Sequence, residues 1–112
     1  MKTLGQILNV NREIEWVNAL KDAETVVLFE TKISNAQLWA KGRSNNAIAW
    51  ARYIVWHLAH LSGATSSFMA AHSGFDSSAI RWGFSAIKKR RSVDHDFDQC
   101  LKRLENEVAS NC

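Results

Sequence analysis

The stretch MAAHSGFDSSAIRWG, residues 69–83, decides how this chain folds. It is too polar for an ordinary core helix and too regularly spaced for a loop. Two helices that cross at a steep angle need a small residue where they meet, and Ala70 meets that need. A tight turn between them needs a residue that tolerates positive φ, and Gly74 follows four residues later. Ile80, six residues past the glycine, is placed to fill the angle, with Met69 and Phe75 packing around the turn. This spacing predicts a helix-turn-helix.

The flanking sequence supports helices on both sides. Residues 46–61, NAIAWARYIVWHLAHL, form the strongest helical pattern in the chain. Ile48, Ala51, Leu58 and Leu61 recur at helical spacing, and Trp50 and Trp56 need cover on further sides, so this helix is expected to be central. Ser62-Gly63-Ala64 ends it, and Thr65 or Ser66 caps the next. A third helix is expected to begin at Asp76 or Ser77, carry Ile80, Phe84 and Ile87, and close on Lys88-Lys89-Arg90-Arg91, where cations suit a helix C-terminus. In the tail, Phe97, Leu101, Leu104 and Val108 share one face of a last helix.

Towards the N-terminus, REIEWVNAL (12–20) reads as a short amphipathic helix with Asn11 as its N-cap, and SNAQLWA (34–40) as another that opens on a capping serine. Residues 24–31, ETVVLFET, are consistent with a buried strand or a helix turn. The fold class expected is therefore a compact, mainly α-helical domain containing a helix-turn-helix, with one short strand or extended segment as an alternative near 24–31. The 112 residues read as a single domain, divided into an N-terminal helical extension (1–40), a basic helix-turn-helix region (41–91) and a C-terminal helix (92–112).

Charge is distributed unevenly. The net +3 of the chain resolves into −1 over residues 1–40, +7 over 41–91 and −3 over 92–112. The only acid of the middle segment is Asp76, at the expected start of the third helix. A concentrated basic segment of this kind favours a polyanionic partner, against the alternative of a solvated face. On the third helix, Asp76, Ser77 and Ser78 lie at the N-terminus, where a recognition helix meets base edges, and Arg81 and Ser85 continue that outer face. Arginine is the commonest partner of guanine O6 and N7, and serine serves either base partner. Ser66 and Ser67, opening the preceding helix, offer hydroxyl and backbone N–H groups to phosphate.

Other chemistries find less support. Two cysteines, Cys100 and Cys112, make no disulfide framework, and no Cys/His grouping has zinc-ligand spacing, so no cofactor or metal is expected. His57 and His60 are three apart on a helix but lack further ligands. No nucleophile–base–acid set can be assembled, so an enzyme is not expected. No signal peptide or membrane span is read, which suggests a cytoplasmic, nucleoid-associated protein. Most tryptophans are expected in the core. Trp82, beside Arg81, is expected to pack inward, with a place facing DNA or a protein partner as the alternative.

Residues 51–89, ARYIVWHLAHLSGATSSFMAAHSGFDSSAIRWGFSAIKK, resemble the C-terminal DNA-binding domain of the bacterial replication initiator DnaA, of the Trp-repressor-like helix-turn-helix group. Arg52-Tyr53-Ile54-Val55-Trp56-His57-Leu58-Ala59 stands where that family carries R-Q-I-A-M-Y-L-A. Thr65 stands where its serine begins the next helix. Asp76-Ser77-Ser78-Ala79-Ile80 falls on D-H-T-T-V. The resemblance implies double-stranded DNA as partner, read through the major groove. It also places the 41–43 connector near a basic loop whose arginine enters the minor groove, which implies that role for Arg43. The arginine of the family's R-D-H is absent, Ser77 replaces its histidine and Ala79 its second threonine, so recognition of the family's own DNA box is not implied. No nucleotide-binding motif accompanies it.

The expected function is that of a double-stranded-DNA-binding regulator or accessory factor in transcription or replication. Base contacts are expected from the 76–85 face and phosphate contacts from Arg52, Lys88, Lys89 and the Ser66 region, with a homodimer as a further expectation. Two readings compete. One is an assembly protein resembling a phage terminase small subunit, self-associating through its first 40 residues. The other is a protein-binding module anchored by Trp82.

Overall fold

The apolar run at 46–61 becomes the helix around which the others gather. The protein, described here from a computed structural model that covers residues 3–40 and 45–110 and gives only the backbone at 5–11, forms six α-helices. These are α1 (Leu4–Thr31), α2 (Asn35–Trp39), α3 (Asn46–Leu61), α4 (Ser66–Ser73), α5 (Ser77–Val93) and α6 (His95–Ser110). No strand occurs among the described residues.

Residues 24–31 are helical and continue the 12–20 turn without a break, so the strand alternative is overturned and Asn11 lies within a helix rather than capping one. Thr25 and Thr31 return their hydroxyls to the carbonyls of Lys21 and Val27, at 2.9 and 2.7 Å, which satisfies them inside a helix. Tertiary packing outweighs the local β preference of Thr25-Val26-Val27. Leu20, Ala23, Val26 and Val27 are buried in one core with Ala51, Val55, Leu58 and Ala59 of α3. Val26 and Val27 therefore gain more from burial against α3 than they lose in helix propensity.

Apart from Asn11, the expected caps form, and Asn45 adds one that was not expected. Ser34 and Gln37 form a reciprocal capping box on α2. Asn45, Thr65 and Asp76 accept from backbone N–H groups of the first turns of α3, α4 and α5. In α6, Leu101, Leu104 and Val108 are buried and Phe97 packs against the same core.

α3 and α5 approach closely at Gly83. A Cβ built there would stand 2.8 Å from Cδ1 and 3.2 Å from Cγ of Tyr53, and 3.5 Å from Cε3 of Trp56. The backbone of α5 thus lies directly on two aromatic rings of α3. Tyr53 and Trp56 are part of a continuous aromatic layer that runs from Phe97 through Trp50 to Trp56, Phe75 and Trp39, with centroid separations of 5.3–6.3 Å.

A second tie joins α3, α5 and α6. The Arg91 guanidinium donates to Asp98 at 2.7 Å and to both oxygens of Glu105 at 3.0 and 3.1 Å, while His57 Nε2 lies 2.9 Å from the same Glu105. The hydrogen bond from Arg91 holds the Asp98 carboxyl below its ordinary pKa, against burial. For Glu105, burial pushes upward, but the hydrogen bonds from Arg91 and His57 outweigh it and the net shift is downward. Arg103 on α6 adds a two-pronged contact to Glu30 on α1, at 2.8 and 3.2 Å.

Two predictions follow from this packing. Gly83→Ala gains about 1 kcal/mol of helix propensity but forces Tyr53 to shift, a cost of about 1–3 kcal/mol. A net effect between no change and a loss of about 2 kcal/mol in urea unfolding is expected, and a net gain would contradict the close approach. Because Asp98 and Glu105 have depressed folded pKa values, their stabilisation is complete above the ordinary carboxylate range. It is lost as the pH falls from the ordinary carboxylate range through those depressed values. Arg91→Met should lower the Tm at neutral pH and flatten the fall in Tm across that acid window.

Candidate nucleic-acid interface

α4 and α5 are joined by three residues, Gly74-Phe75-Asp76. Gly74 takes φ +75° and ψ 13°, and its N–H donates to the Ala70 carbonyl at 2.9 Å, which closes α4. Met69 and Ile80 are fully buried on either side of the turn. Phe75 packs on Trp56 and Trp39. The residues predicted to make the joint are therefore together, and Gly74 has the left-handed conformation the turn requires.

α5 divides lengthwise. Ile80, Gly83 and Ile87 face the core, while Ser78, Arg81, Trp82, Ser85, Lys88, Lys89 and Ser92 are exposed. At 100° per residue these exposed positions form one face of the helix. No acid occurs between Ser77 and Val93. Among the described residues, Arg81, Lys88 and Lys89 enter no ion pair with a carboxylate. The run Lys88-Lys89-Arg90-Arg91 is split by helix geometry. Arg90 lies 4.6 Å over the rings of both Trp50 and Phe97 and pairs with Asp94, and Arg91 is held by Asp98 and Glu105. Only the two lysines point outward.

Asp76 and the serines have modest local roles. Asp76 is exposed and its Oδ1 accepts from the Ser78 backbone at 3.3 Å as the N-cap. Ser77 is half-buried beside it. Ser66 is half-buried and Ser67 exposed in the first turn of α4, where backbone N–H groups lack intrahelical partners.

Two residues depart from expectation. Arg52 is not a surface cation: it is 7% exposed, its guanidinium donates to the carbonyls of Leu38 and Ala40, and it stacks 4.8 Å over the Phe75 ring. Burial pushes its pKa down. The last carbonyls of α2 need partners, and a cation at a helix C-terminus supplies them, so this side chain is committed to the fold and cannot reach a phosphate. Trp82, expected inward, is 62% exposed, because Tyr53 and Trp56 already fill the space under Gly83 next to it. Its ring stands edge-on to Tyr53 at 5.4 Å. The predicted minor-groove residue Arg43, with the rest of 41–44, lies outside the described residues.

One feature of this face was not foreseen. A shallow groove of about 510 Å³ runs along α5 beside Trp50, lined by Trp82, Ser85, Ala86, Lys89, Arg90 and Val93. Val93 is 83% exposed. The positions 82, 86, 89 and 93 form a helical stripe, a signal that was present in the sequence but hidden by the intervening cations.

The histidines have ordinary partners. His57 meets Glu105, and His60 Nδ1 lies 2.8 Å from the Ala64 carbonyl with its ring stacked on Phe84. No group of three or more potential metal ligands occurs among the described residues, and none of their helices is long and apolar enough to cross a membrane. Comparison of the chain with protein-family models, with curated proteins and with solved structures gives no match.

The division between structural and surface residues is testable. Arg52→Met should destabilise the protein by about 2–4 kcal/mol, since the buried Leu38 carbonyl and the part-buried Ala40 carbonyl lose their donor. Trp82→Ala should cost less than about 1.5 kcal/mol, the scale of one aromatic edge contact. Denaturant titration of the two variants reads the difference directly.

Proposed function

We propose that this protein binds double-stranded DNA, with α4 and α5 acting as a helix-turn-helix and α5 lying in the major groove. The observation that carries the reading is the outer face of α5, where Arg81, Lys88 and Lys89 stand exposed, unpaired among the described residues and free of neighbouring acids on the helix. The positive-φ joint at Gly74 supports it, as does the resemblance of residues 51–89 to the DnaA DNA-binding domain. Ser78, Arg81 and Ser85 are the base-reading candidates, with Ser77 and Asp76 at the helix start. Lys88, Lys89 and the Ser66–Ser67 turn are the phosphate candidates. A regulator or accessory factor of transcription or replication, working at the nucleoid, is the role this reading favours.

A self-assembling protein is the second reading, favoured by Ile14 and Phe29, which stand exposed on α1. Light scattering separates the two: a monomer or dimer fits the regulator, and a ring-sized oligomer fits assembly.

Selection of bound duplexes from a random pool, followed by titration in increasing salt, tests DNA binding. Arg81→Ala should cost about 1–3 kcal/mol on the selected site and little on unrelated duplex. Lys88→Ala should weaken all sequences alike and reduce the slope of log K against log salt by about 1. Failure of the unaltered protein to bind any duplex at low salt would falsify the reading.

A further inference from the structure

On the reading that α5 faces DNA, we propose that Trp82 is a specificity residue that contacts the C5-methyl group of thymine. Trp82 stands one turn beyond Ser78 and next to Arg81, on the exposed face of α5. Its outward placement is enforced. The adjacent Gly83 lies directly on Tyr53 and Trp56, so no space remains beneath for another indole. The ring is also braced, edge-on to Tyr53, which is itself packed by Trp50 at 5.3 Å and Trp56 at 6.3 Å. A large apolar surface is therefore turned outward with one edge against Tyr53, available to a partner.

The chemistry of the surroundings selects the partner. Arg81 and Lys88 share the exposed face of α5, Lys89 lines the groove beside the ring, and α5 carries no carboxylate, so the face suits an anionic surface. In the major groove the base edges present hydrogen-bonding atoms at every pair, and thymine adds the one apolar group, its methyl. An indole set against the polar edges of guanine, adenine or cytosine desolvates groups without replacing their hydrogen bonds. Set against a thymine methyl, it buries apolar surface on both sides. The groove beside it, whose lining includes Trp50, Ala86 and Val93, adds further apolar surface along α5 and leaves room for the methyl of an adjacent thymine.

Deoxyuridine isolates this contact, because it pairs as thymine does and leaves the phosphates unchanged, lacking only the methyl. Duplexes selected from a random pool are resynthesised with uracil at each enriched thymine in turn. The unaltered protein should lose about fourfold in affinity for each contacted methyl removed. Trp82→Ala should bind thymine and uracil duplexes equally, with its helical circular dichroism unchanged, and Trp82→Phe should keep part of the discrimination. Duplex binding that is indifferent to uracil, or discrimination that survives in Trp82→Ala, overturns this assignment while leaving the DNA reading in place. Absence of duplex binding at low salt overturns both.

Discussion

The contact on which the rest of the structure depends is the seating of α5 on α3 at Gly83. A methyl group there would meet the Tyr53 ring at 2.8 Å, so glycine is what lets the α5 backbone lie this close to the rings of α3. Glycine in the middle of a helix lowers its stability by about 1 kcal/mol relative to alanine. The return is that Tyr53 and Trp56 are covered by backbone, and that Ile80 and Ile87, a turn on either side, reach the core. The same contact fixes which side of α5 faces outward. Arg81 and Trp82 are turned to solvent because Gly83 is turned in.

Charge in the basic segment is divided by the same geometry. Eight cations between residues 41 and 91 look equivalent in sequence, yet they do different work. Arg52 closes the end of α2 and covers Phe75. Arg90 covers Trp50 and Phe97, and Arg91 joins α5 to α6 through two carboxylates. Buried or half-buried arginine is suited to these places because its planar guanidinium stacks on rings and serves several acceptors at once. The lysines, more strongly hydrated, remain outside. The acidic tail is thus a partner of the basic segment rather than a separate feature, since Asp94, Asp98 and Glu105 each accept from an arginine of α5.

Much of the helical frame was legible because its signals are local. Ser34, Thr65 and Asp76 cap helices by hydrogen bonds to backbone two or three residues away, and Gly74 provides a left-handed conformation that other residues disfavour. The α6 stripe of Leu101, Leu104 and Val108 followed from periodicity alone. Residues 24–31 did not, because a short apolar run has no period, and its β-branched residues are overruled by burial against α3 rather than by anything adjacent. The outer face of α5 was half legible. Ser78, Arg81 and Ser85 followed from helical spacing, but Trp82 and the 82–93 stripe did not, since a large apolar residue is assigned to the core unless something already occupies its place.

The sequence by itself determined the helices from α2 onward, the caps at Ser34, Thr65 and Asp76, the positive-φ joint at Gly74 and the concentration of positive charge in the middle of the chain. All of these rest on interactions within a few residues or on composition. Only the tertiary structure decided that Arg52 is interior, that Arg90 and Arg91 are bound to aromatic rings and carboxylates, and that Trp82 is exposed. Each of those outcomes depends on which residue of another helix already fills the space or supplies the acceptor. Tyr53 under Gly83, the free carbonyls of Leu38 and Ala40, and Glu105 on the last helix are separated from the residues they control by 12 to 30 positions of chain. No local pattern encodes a pairing at that distance.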